Sequence, residues 1–184
     1  MEITETFYAP DAKAWRKWLS RFHKSKKEIW LIYFNKKSGR PRLDYHDAVD
    51  EAICFGWIDS TIKKIDEHQS AQRFTPRKAK SKWSELNKHR AAHLIQLEKM
   101  TEAGMAALNG AHEKKFPIPS DLIREIKKNK SAWKHFQNFP EIYRLIRLAY
   151  LDDSRKNPEV FNARLKYFLK MTEQGKTFGW MPDN

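Results

Sequence analysis

The groups best suited to chemistry lie between Trp57 and Arg90. Asp59 supplies a carboxylate, Arg73, Arg77 and Arg90 supply guanidiniums, and Thr61, Thr75 and Asn87 add neutral donors and acceptors. Residues 58–65 and 70–77 read as two strands around Asp66-Glu67-His68, with Pro76 marking a strand end. A three-residue loop there pairs Thr61 with Arg73 and Asp59 with Thr75. Side chains alternate across a strand, so Trp57, Asp59, Thr61, Arg73, Thr75 and Arg77 are expected on one face, with Ile58, Ile62 and Phe74 on the core face. Trp83, Asn87 and Arg90 follow at i, i+4 and i+7 on a predicted helix and share a face that could close over the hairpin. These residues form the expected ligand-binding set, suited to a small anion held by guanidiniums.

The same set offers a second chemistry, with Asp59 as acid or base and Arg73 as anion clamp. General acid–base work needs a carboxylate whose pKa approaches the working pH, and an adjacent guanidinium lowers it instead. The arrangement therefore suits binding better than catalysis, and no catalytic residue is assigned. Cys54 is a poor nucleophile by position. It falls in the last turn of a predicted helix with Asp47, Asp50 and Glu51 at helical spacing, and each of these disfavours a thiolate. His89 and His93 have the i, i+4 spacing of two metal ligands, but Arg90 stands where the metalloprotease motif needs Glu. The six glycines form no phosphate-binding pattern. No metal and no cofactor is implied.

Composition narrows the partners. The formal charge is +13, and the densest excess runs from Lys63 to Arg90, with nine basic residues against three acidic. Anionic partners are favoured, so nucleic acid is an alternative to a small anion, although no zinc-finger, RNP or basic-zipper motif is present. A single cysteine excludes an internal disulfide and fits a reducing compartment. No apolar run is long enough to span a bilayer, and Met1-Glu2-Ile3-Thr4-Glu5 opens with acid where a secretory leader would carry Lys or Arg. A cytoplasmic location is expected.

The elements that must position these groups are legible in outline. Trp15, Trp18, Leu19 and Phe22 make one helical face after Asp11, and residues 28–35 read as a buried strand. Asp44 caps a helix carrying Tyr45, Ala48, Val49, Ala52 and Ile53, which Gly56 terminates in a left-handed conformation. Helical spacing resumes at Ser81, and Thr101 caps a short helix ending near Asn109-Gly110. Residues 111–119 form a linker. Helices are then expected over 120–129, 131–138, 140–151 and 158–174, with Pro140 and Pro158 at first-helical positions. The fold class is α+β. Residues 1–112 hold a small antiparallel sheet with packed helices, 117–175 an all-helical module, and 176–184 a tail.

Three ordered blocks resemble a known family. Residues 50–59 (Asp50-Glu51-Ala52-Ile53-Cys54-Phe55-Gly56-Trp57-Ile58-Asp59), Arg73-Phe74-Thr75-Pro76-Arg77 and Ser81-Lys82-Trp83-Ser84 are similar to motifs of the YdeI/OmpD-associated, or bacteriocin-protection, family over almost the whole chain. Trp133, Phe136, Phe139-Pro140 and Tyr143 resemble that family's C-terminal helical module, which carries Pro-Ser where this chain has Pro140-Glu141. The resemblance implies a non-enzymatic protein of bacteriocin tolerance or stress. Many antimicrobial peptides are cationic, so a +13 protein repels them, and this opposes direct capture.

Overall fold

The computed structural model describes residues 2–79 and 81–180. It is an α+β protein with two compact units, Met1–Lys82 with His89–Glu113 and Trp83–Lys88 with Lys114–Asn184.

The first unit is built on a four-stranded sheet in the order β1-β2-β4-β3. Strand β1 (Thr6–Tyr8) runs parallel to β2 (Ile29–Phe34), with α1 (Ala12–Phe22) as the crossover between them. The sheet is therefore mixed, where a purely antiparallel one was expected. Asp11 caps α1, its carboxylate accepting from the Ala14 N–H at 2.7 Å. The helix turns Trp15, Trp18 and Leu19 inward. Trp15 packs against Phe74 with ring centroids 5.3 Å apart, and its indole N–H donates to the Ala48 carbonyl at 3.0 Å. One apolar face of α1 thus ties the sheet to α2 (Tyr45–Cys54), which buries Ala48, Val49, Ala52 and Ile53.

Helix α2 ends as expected. Gly56 has φ +72°, and an added Cβ there would lie 2.8 Å from both the Ala103 carbonyl oxygen and the Ala107 Cβ. The close neighbour is α4 (Glu102–Leu108), capped by Thr101. The Thr101 hydroxyl and N–H both donate to the Cys54 carbonyl, at 2.6 and 3.0 Å. Gly104 lets the two backbones meet, since a Cβ there would lie 2.3 Å from the Cys54 carbonyl oxygen.

The hairpin of β3 (Trp57–Lys64) and β4 (Gln69–Pro76) departs from its expected register midway. Next to the loop Lys64 pairs with Ser70 and Ile62 with Gln72, but farther along Asp59 pairs with Phe74 and Trp57 with Pro76. Between Asp59 and Ile62, β3 carries one residue more than β4, which is a β-bulge. A one-residue slip exchanges the faces of everything beyond it. Trp57 and Asp59 therefore share the helix-covered face with Gln72 and Phe74. Arg73, Thr75 and Ile58 lie on the opposite face.

Helix α3 (Glu85–Gln96) begins in residues of the second unit and continues in those of the first. The second unit then adds α5 (Ser120–Lys127), α6 (Lys130–Asn138), α7 (Glu141–Asp152) and α8 (Pro158–Glu173). Asn129 and Asn157 cap α6 and α8; Pro158 opens α8, whereas Pro140 stands one residue outside α7. Leu122, Ile126, Ala132, Phe136, Leu148, Leu151 and Phe168 form its core. Arg147 is buried there among the rings of Tyr143, Tyr150 and Phe178, 5.3 to 5.7 Å from their centroids. The Phe178 N–H donates to the Tyr143 hydroxyl at 3.3 Å, which fastens the segment after α8.

Candidate functional site

The bulge separates the two groups expected to work together. Arg73 turns away from Asp59 and its Nε donates to Glu28 at 2.7 Å. Hydrogen bonds from Thr4 and then Arg73 hold the Glu28 carboxyl below its usual range. Asp59 stays on the helix-covered face, where Oδ2 accepts from the Tyr45 hydroxyl and the Gln72 amide, both at 2.9 Å. Trp57 is 1% exposed, stands edge-on to Trp18 at 5.7 Å and donates to the His23 carbonyl at 3.2 Å. It belongs to the core, not to a pocket margin.

The other expected residues are dispersed. Thr61 is exposed in the bulge and Thr75 is half-buried beside Ile58. Arg77 donates to the Ser81 hydroxyl and the Lys82 carbonyl, and burial pulls it below its ordinary value while nearby Asp59 opposes that. Trp83 is buried, Asn87 is half-buried, and both belong to the second unit. Arg90 is 3% exposed and pairs with Asp50, the His46 carbonyl and His46 Nδ1, so it braces α2 from within.

Arginine only donates, so the 2.8 Å contact with Arg90 Nη2 requires an unprotonated Nδ1 on His46. Burial and then the Arg90 charge lower the His46 pKa. A histidine whose folded pKa is depressed favours the fold at high pH. The contribution is complete above the unfolded value of about 6.5 and is lost as pH falls through the lowered folded value. Urea melts are therefore expected to show stability declining below about pH 6.5, and His46→Asn, which keeps an acceptor but cannot titrate, should flatten that decline.

Cys54 is fully buried, and burial, then Glu51, push its thiol up to about 11. It stays protonated at neutral pH and packs. Among the described residues, no group of three or more His, Cys, Asp or Glu is arranged to hold a metal ion.

The helix-covered face opens at the hairpin end. Tyr33, Ser70 and Lys64 form one cross-strand row there. With Arg42, Asn35 and His68 they line a cleft of about 230 Å³. A depression of about 360 Å³ next to it shares Phe34, Asp66, His68 and Gln69 and adds Lys37 and Arg40, the latter stacked 4.5 Å over Phe34. Asp66 accepts from the His68 and Gln69 N–H groups and the Gln69 amide, and Glu67 lies beside His68, so the two carboxylates of the cleft have partners of their own while Arg42 and Lys64 supply its positive charge. Tyr33 is 7% exposed, and its hydroxyl is buried without a hydrogen-bond partner. Burial, reinforced by Tyr45 and Asp59, raises its pKa, so it is a donor awaiting an acceptor. An aromatic at an inward strand position reads simply as core, which is why sequence reasoning passed over Tyr33; Arg42 lies in a segment with no periodic signal.

A mixed sheet clasped by helices, with a polar cleft at its hairpin end and a separate helical unit, defines a small α+β protein. Residues 7–107 match the family described as a domain of unknown function, DUF8412, and the chain belongs to that family. Residues 115–175 match the family described as bacteriocin-protection, YdeI or OmpD-associated. That match covers the helical unit, so the earlier resemblance is corrected in extent: the motif blocks from Asp50 to Arg77 lie within the other family's span. No curated protein and no solved structure matches the chain.

Proposed function

We propose that the chain is a non-enzymatic, cytoplasmic protein of bacteriocin tolerance or stress that holds a small anionic ligand in the cleft of its first unit. The match over residues 115–175 supports the link to bacteriocin protection. The observation that carries the binding role is the buried Tyr33 hydroxyl without an acceptor, in a cleft where Arg42 and Lys64 stand against Asp66 and Glu67, both of which already have partners. A phosphate or carboxylate oxygen satisfies that donor while the cations balance its charge.

The geometry favours this reading over the alternatives. An enzyme using Asp59 with Arg73 needs them adjacent, and they lie on opposite faces of the sheet. A nucleic-acid surface from Lys63 to Arg90 is weakened because four of its nine basic residues, Arg73, Arg77, Lys88 and Arg90, are engaged within the protein.

Thermal-shift and calorimetric titrations with inorganic phosphate and glucose 6-phosphate, at ionic strength matched with chloride, test the reading. One of these probes is expected to bind with a millimolar or tighter Kd, and Arg42→Ala to weaken it by about tenfold. Tyr33→Phe should weaken binding too while leaving the unliganded melting temperature unchanged or higher, because it removes a stranded donor. No saturable effect up to about 10 mM, or one indifferent to Arg42, overturns the assignment.

A further inference from the structure

The helical unit carries a groove of different chemistry. Its floor and walls are Phe136, Leu148, Ile123, Trp133 and Leu145, and its volume is about 170 Å³. A closed cavity of about 150 Å³ lined by such side chains accommodates benzene, so the space suits one aromatic ring and little more. Trp133 and Phe136 are stacked, centroids 5.9 Å apart, and offer the ring an aromatic wall.

The mouth of the groove is not apolar. Arg144 lies there with its guanidinium 5.7 Å from the Phe136 centroid, and its Nε is buried without a hydrogen-bond partner. Helix α7 also begins here, after a proline that makes no side-chain cap. Its first N–H groups and the positive end of its dipole add to the Arg144 charge. Glu141 lines the same mouth without pairing with Arg144 among the described ion pairs. Glu141 offsets much of the Arg144 charge, so the free Arg144 Nε and the start of α7 favour a single carboxylate while a dianion is repelled.

We propose that the helical unit binds an aryl monocarboxylate, its ring between Phe136 and Leu148 and its carboxylate on Arg144 at the start of α7. This does not rest on the cleft of the first unit, and neither site shares a residue with the other.

The test is an NMR titration of the full-length ¹⁵N-labelled protein with phenylacetate, with the neutral phenylacetamide as control. Saturable shifts are expected at the amides of Phe136, Leu145 and Leu148 and at the Trp133 indole, with a Kd in the millimolar range. Phenylacetamide should bind at least about fivefold more weakly, Arg144→Gln should lose about five- to tenfold for phenylacetate only, and Glu141→Gln should tighten it. Absence of saturation by about 20 mM, equal affinity for the amide, or shifts scattered outside α5, α6 and α7 overturns the proposal. Should Arg144→Gln fail to fold, the amide comparison and Glu141→Gln decide it in the same way.

Discussion

Gly56→Val is expected to destabilise the first unit by about 2–5 kcal/mol. An L-residue in the left-handed region costs roughly 1–2 kcal/mol, and forcing a side chain into an occupied interior adds roughly 1–3 kcal/mol. Both terms apply, because Gly56 has positive φ and its Cβ direction meets the backbone of Ala103 and the side chain of Ala107. Cys54→Ser, two residues away, leaves the backbone unstrained and changes the buried volume only slightly, so it should cost much less than Gly56→Val. Urea denaturation of the two variants side by side is the measurement. A neutral Gly56→Val would place the end of α2 elsewhere than at Phe55.

Trp15→Ala should cost about 3–5 kcal/mol, the usual range for deleting a buried tryptophan. Its indole is inaccessible to solvent and packs on Phe7, Trp18 and Phe74, so its loss opens a cavity among α1, α2 and the sheet. It also strips the Ala48 carbonyl of its indole donor. For a chain of this size the melting temperature should fall on the order of 10 °C. Trp15→Phe keeps a ring against Phe74 and should lose markedly less. Equal melting of the two variants would show that neither the ring contact nor the cavity matters and that the loss lies with the indole N–H.

What could be read from the residues was whatever chemistry is local. Asp11, Asp44 and Thr101 each announce a helix start because a short acceptor reaches an N–H two or three residues on. Gly56 announces an end because few other residues tolerate its φ. Strand β1 was missed, since three residues carry no periodicity and their pairing with β2 depends on the crossover of α1. The hairpin loop was placed well enough to give Lys64 opposite Ser70, but nothing in Ser60-Thr61 distinguishes a bulge from regular strand. That one residue transferred Asp59 and Trp57 to the core face and handed Arg73 to Glu28, a partner 45 positions away. Sites assembled from distant strands are set by register, and register is decided where strands meet.

The cage around Arg147 gives the C-terminal segment an unusual indifference to acid. An ion pair lets go when its carboxylate takes up a proton, whereas the rings of Tyr143, Tyr150 and Phe178 have no proton to gain. Arg147 itself keeps its charge at any pH a cell encounters. Acidification that protonates His46 and loosens its contact with Arg90 in the first unit therefore leaves this anchor in place. A protease probing the protein in mild acid should find α2 before it finds residues 175–178.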